Sequence, residues 1–189
     1  GEHLGRYSFV GCNPRAVIKQ TGNRVEVLEG GKVVETFSVA GGPGDTPVDA
    51  AGTGAQEASH PPIVRDGLEV IERVMKKYRP VTLPGLPRFT GGAIGFIGYE
   101  FIHDVEPAVP RPPHDALHTP VMYFLVADQL LVFDRVAQTI TVLVNAAIDE
   151  AASPAEAYEM AGEEIERLLS LLEQPSEHHP VSVPREVPS

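Results

Sequence analysis

Apolar and polar positions alternate through the first forty residues. Tyr7–Cys12, Arg15–Gln20, Arg24–Glu29 and Lys32–Val39 are β-branched or aromatic runs divided by turn residues, and each predicts a strand. Between the last two, Gly30-Gly31 predicts a two-residue hairpin, since a type I′ turn needs positive φ at both centres. Val25, Val27 and Val33 alternate with Glu26, Lys32 and Glu35, which predicts one buried and one wetted face. The period then changes. Val64, Leu68, Ile71, Met75 and Tyr78 recur at spacings of three and four, predicting a helix from about Ile63 to Lys77 that Pro80 closes. Val121–Ala127, Leu130–Arg135 and Thr139–Ala146 form a second β block, expected to fold as an antiparallel meander.

The last element carries the clearest start signal. Ser153-Pro154-Ala155-Glu156 places Ser at the N-cap, Pro at the first helical position and Glu at the third, a capping box. Tyr158, Ala161, Ile165, Leu168 and Leu172 then make one apolar stripe. Strands and helices do not alternate as βαβ units, so the expected class is α+β, an antiparallel β-sheet sandwich with flanking helices. Residues 40–62 hold five glycines and almost no large apolar side chain, which reads as a flexible loop. Residues 105–120 carry five prolines and read as an irregular connection, and residues 175–189 as a linker or tail.

Composition narrows the functional classes. A net charge of −11 over 189 residues leaves no clustered cations for nucleic acid. The longest uninterrupted apolar run, Val121 to Ala127, is far short of the roughly 18 residues that span a bilayer. No cationic and then apolar segment opens the sequence, and Cys12 is its single cysteine, so a reducing, cytoplasmic setting is expected.

Candidate chemistry is sparse. His114 and His118 lie four apart, but Pro110, Pro112, Pro113 and Pro120 forbid the helix that would aim both at one metal ion. They read as loop histidines, Cys12 as a small packing residue, and His178-His179 as part of the tail. The strongest signal is Gly92-Ala-Ile-Gly95-Phe-Ile-Gly98. It lacks the preceding apolar strand and the long following helix of a dinucleotide fingerprint. Glycines at every third residue of an apolar strand imply close approach of another backbone or a bulge; Gly92, Gly95 and Gly98 are the expected domain interface, with a strand lining a ligand channel as the alternative. Nothing in the pattern supplies a catalytic residue or a metal site.

Four stretches together add a resemblance. Gly5-Arg6-Tyr7-Ser8-Phe9-Val10-Gly11 with Asn13-Pro14, the segment Pro87 to Glu100, Pro120-Val121-Met122-Tyr123-Phe124, and Val132-Phe133-Asp134 resemble, in order and spacing, signatures of anthranilate synthase component I. The resemblance covers nearly all of residues 5–173. It implies a chain from an enzyme that converts chorismate to anthranilate and pyruvate for tryptophan synthesis, with ammonia from a glutamine amidotransferase subunit, component II. It also implies Mg²⁺, bound with chorismate by a larger domain outside this sequence. Residues 1–174 would be the amino-terminal regulatory domain without its first strands, serving feedback regulation and subunit packing. Arg6, Tyr7 and Ser8 match positions that line the family's L-tryptophan effector pocket. Aminodeoxychorismate synthase component I of folate synthesis is the alternative within the family. A stand-alone amino-acid-binding module is the alternative of another class.

Overall fold

The computed structural model describes residues 5–40, 61–106, 108–109, 117–148 and 153–175. Positions 41–60 of the expected loop, positions 107 and 110–116 of the expected connection, and the tail from 176 lie outside the described residues. The packing divides into two units, Gly1–Asn145 and Ala146–Ser189, so the boundary falls inside the region expected to form one domain over 1–174.

The architecture is α+β. In the first unit β1 (Tyr7–Cys12), β2 (Ala16–Thr21), β3 (Arg24–Glu29) and β4 (Lys32–Val39) follow one another, then a two-residue β5 (Ile63–Val64) and α1 (Gly67–Met75). β6 (Gly92–Ile97) leads through a 3₁₀ turn (Tyr99–Phe101) into a single-turn α2 (Ile102–Val105). β7 (Met122–Ala127), β8 (Gln129–Asp134) and β9 (Thr139–Val144) complete it. Six strands form one sheet in the order β5-β4-β3-β2-β7-β6, and three form another in the order β1-β8-β9. All neighbours are antiparallel except β4 and β5, which run parallel.

The predicted turn between β3 and β4 forms as expected, with φ of 56° at Gly30 and 78° at Gly31. The predicted face of β4 is corrected. A register shift beside Val27 and Leu28 pairs Val27 with Glu35 but Leu28 with Val33, leaving Val34 as an extra residue. Val33 thereby moves to the side opposite Val25 and Val27 and stays exposed.

The helix predicted over Ile63–Lys77 is also shorter. Ile63–Val64 joins the sheet edge instead, and Asp66 caps the helix, its carboxylate accepting from the Glu69 N–H at 3.0 Å. The covered face is Val70 and Val74, with Ile71, Met75 and Tyr78 packed beside them, while Leu68 is exposed. These residues close over Ala16, Ile18, Val25, Val27, Phe37, Val39, Met122 and Val126, the main core.

The expected meander is broken after its first strand. β7 pairs with β2 and β6, while β8 pairs with β1 and β9. Asp128 alone joins β7 to β8, and Asn13–Arg15 joins β1 to β2, so the chain changes sheet twice at one corner. Arg15 Nε donates to Asp128 Oδ2 at 2.8 Å, tying the two crossings together. Asn145 holds the same corner, its N–H donating to the Asp128 carbonyl and its amide to the carbonyls of Thr90 and Asp128. Beyond it, Leu130, Val132, Leu143 and Ala127 make a second, smaller core with Tyr7 and Phe89 against it.

The second unit is α3 (Pro154–Glu173). Its predicted cap is present: Ser153 Oγ accepts from the Glu156 N–H at 3.2 Å, with Pro154 at the first helical position. Ala157 and Leu168 are buried, whereas Tyr158 and Leu172, the ends of the predicted stripe, are exposed.

Candidate functional site

The alternation of β1 sets the geometry. Tyr7 and Phe9 project to one side, where their rings lie 6.2 Å apart. Phe9 meets Phe89 edge to face, with centroids 5.5 Å apart and planes at 85°. Phe89 belongs to the segment Leu86–Phe89, anchored at Thr90 by the Asn145 amide. Between this segment and β1 lies an open groove of about 450 Å³, lined by Gly5, Arg6, Tyr7, Phe9 and Leu86–Phe89.

The predicted effector residues are split by this arrangement. Arg6 and Tyr7 line the groove, and Arg6 lies 4.9 Å from the centre of the Tyr7 ring. Ser8 is not among the lining residues; its Oγ accepts from Arg135 at 3.1 Å. Arg6 is engaged with Asp134, Nε reaching Oδ1 and Oδ2 at 3.0 and 3.1 Å and Nη2 reaching Oδ2 at 2.6 Å. Those hydrogen bonds hold the Asp134 carboxyl at about 2, against an ordinary 3.8. Partial burial opposes them, and the N–H groups of Ala137 and Val136 act with them. The pair therefore fixes β1 to the turn after β8.

Gly92, Gly95 and Gly98 lie on or just after β6, the last strand of the six-stranded sheet. The close backbone approach expected of these glycines occurs at Gly95, and the approaching strand is β7 of the same sheet. A Cβ on Gly95 would run into the Tyr123 carbonyl, with the Phe124 Cα at 2.7 Å. A Cβ on Gly98 would stand 2.9 Å from the Glu100 carboxylate and 3.1 Å from the Val121 carbonyl. Ile94, Phe96 and Ile97 are each close to half exposed along β6.

Among the described residues, no three His, Cys, Asp or Glu side chains converge as metal ligands. The Mg²⁺ implied by the resemblance therefore finds no fitting donor set among these residues. His114 and His178-His179 lie outside the described residues, and His118 is exposed with a φ of 51°. Cys12 Sγ sits 3.9 Å from the Gln129 carbonyl as part of the β1–β8 pair. No described helix is long and apolar enough to cross a membrane.

Residue pattern alone missed the second wall of the groove. Its signal was Leu86-Pro-Arg-Phe89, an arginine between a proline and an aromatic, which is easily passed over as a lead-in to the glycine strand.

The chain spans about 30% of the length of curated relatives that match it over nearly all of its own length. Those relatives are anthranilate synthase component 1, and this chain is similar to part of that protein. The Pseudomonas aeruginosa protein is 32% identical over 178 residues, which is 93% of this chain and 30% of the relative. The Saccharomyces cerevisiae protein is 30% identical over 186 residues, 98% of this chain and 29% of the relative. The crystal structure of anthranilate synthase component I from Streptococcus pneumoniae TIGR4 matches with a TM-score of 0.60 and 25% identity, covering 92% of this chain and 31% of that one. No protein-family model matches the chain.

Proposed function

We propose that the chain is the regulatory and packing portion of an anthranilate synthase component 1. In this reading the whole cytoplasmic enzyme turns chorismate and ammonia into anthranilate and pyruvate. A glutamine amidotransferase partner, component II, supplies the ammonia, and Mg²⁺ acts at residues outside this chain. The observation that carries the reading is the match over 93% of the chain at 32% identity, supported by the fold likeness. The two sheets would then correspond to the sandwich expected of the family's amino-terminal domain.

Two finer roles belong to the same proposal. The groove beside Arg6 and Tyr7, with Ser8 on the adjoining face, is the L-tryptophan effector element. Its aromatic wall suits an indole ring. The half-exposed β6, with Gly92, Gly95 and Gly98, is the face that meets the catalytic part of the enzyme. Its exposed Ile94, Phe96 and Ile97 support this, since such an edge is rarely left bare.

The test is to read the coding frame past Ser189 and assay the whole product. Anthranilate fluorescence from chorismate, Mg²⁺ and ammonia is expected, suppressed by L-tryptophan. Formation of aminodeoxychorismate in place of anthranilate, or no turnover of chorismate, would overturn the proposal.

A further inference from the structure

The groove has two arginines, and they are in opposite states. Arg6 has its guanidinium fork filled by Asp134. Arg15, Arg24, Arg65, Arg73 and Arg167 likewise each face a carboxylate. Arg88 is exposed on the groove wall and has no ion pair or side-chain hydrogen bond among the described residues. Arg79 too faces no carboxylate among the described residues, but Arg88 is the one that shares the groove lining with Tyr7, Phe9 and Phe89. A guanidinium in that state presents an open planar fork, the shape that takes a carboxylate by two parallel hydrogen bonds.

We infer that Arg88 is the carboxylate-recognising residue of the groove, and that the ligand is a small aromatic carboxylate whose ring lies against Tyr7, Phe9 and Phe89. Arg6 then has a different duty: it holds β1 in register through Asp134 and lends its flat face to the Tyr7 ring. The inference rests on the effector reading of the groove and adds to it the residue that selects a carboxylate. The segment bearing Arg88 is fixed at Thr90 by Asn145, so the fork is displayed from an anchored wall.

The chain contains no tryptophan, so added L-tryptophan is its own reporter: bound indole raises fluorescence anisotropy without protein background. Binding is measured for L-tryptophan and for tryptamine, which keeps the indole and amine and lacks the carboxylate, on wild type, Arg88→Gln and Arg88→Lys. The expected result is that Arg88→Gln weakens L-tryptophan by about tenfold or more, with Arg88→Lys intermediate, while tryptamine changes by less than about twofold. Unchanged L-tryptophan binding in Arg88→Gln overturns the assignment and leaves the effector reading standing. Equal loss of both ligands also overturns it, for Arg88 would then be a wall and not a carboxylate partner. Wild type that binds neither ligand overturns the effector reading and this inference with it.

Discussion

The two sheets solve different problems. The six-stranded sheet has a helix over one face and a core in which Ile18, Val25, Val70 and Met122 are fully buried. The three-stranded sheet has a core of four buried side chains, two half-covered aromatics and polar ties along its margin. Burial at about 25 cal/mol per Å² favours the larger sheet as the seat of stability. The smaller sheet carries the groove and its charged groups. The main core and the groove thus lie in different parts of one unit, joined at the Arg15–Asp128–Asn145 corner and along the segment leading into β6.

The separation predicts its largest effect in the main core. Ile18→Ala, at the centre of β2, is expected to cost about 2–5 kcal/mol in denaturant unfolding. Amide exchange sharpens the contrast: β2 and β7 should exchange only through global unfolding, and β9 through cheaper local opening. Equal protection of β9 and β2 would show that the sheets open as one unit.

Gly95→Val tests the joint between β6 and the rest of its sheet. The new side chain meets the β7 backbone at Tyr123 and Phe124, which cannot retreat as a flexible side chain can. A loss of about 1–3 kcal/mol is expected by thermal or denaturant unfolding of the chain alone. A loss of assembly in the whole enzyme with the unfolding midpoint unchanged would place the reason for the glycine outside this sheet.

These contrasts explain what the sequence disclosed. Strands β1, β3 and β4 were legible to the residue, because alternation and the Gly30-Gly31 turn are local signals. The α3 cap was legible for the same reason. Partner choice was not. β7 and β8 are separated by Asp128 alone and look like neighbours in a meander, yet β2 and β6 take β7 away. The extra residue Val34 likewise reversed a face that strict alternation would keep. Of the groove's lining, Arg6 and Tyr7 lie in a stretch that carries the resemblance, while Arg88 is brought to them only by the tertiary path through Thr90.

A smaller effect comes from the tie between β1 and β8. The folded Asp134 value, about 2, lies below the ordinary 3.8 of an unfolded chain. Its contribution to stability is therefore present above about pH 4 and is lost as pH falls through about 2. Asp134→Asn should be less stable than wild type near neutrality, and the two unfolding midpoints should converge as pH falls across that window. Parallel curves would mean that the Arg6 pair adds nothing to the smaller sheet.

The smallest effect is expected at Ser8, and it tests which face of β1 would meet the proposed effector. Ser8 is turned from the groove, and its hydroxyl accepts from Arg135 in an exposed position. Ser8→Ala should change unfolding by no more than about 0.5 kcal/mol, as exposed substitutions do. Tyr7→Ala removes an aromatic wall of the groove and the surface under the Arg6 guanidinium. In inhibition curves of the whole enzyme, Tyr7→Ala should therefore raise the L-tryptophan concentration required by about tenfold. Ser8→Ala should raise it by less than about threefold, since it loses only one exposed hydrogen bond within the protein, from Arg135. If Ser8→Ala proves the more damaging, the effector approaches β1 from the Arg135 side, and the groove lined by Leu86–Phe89 serves another ligand.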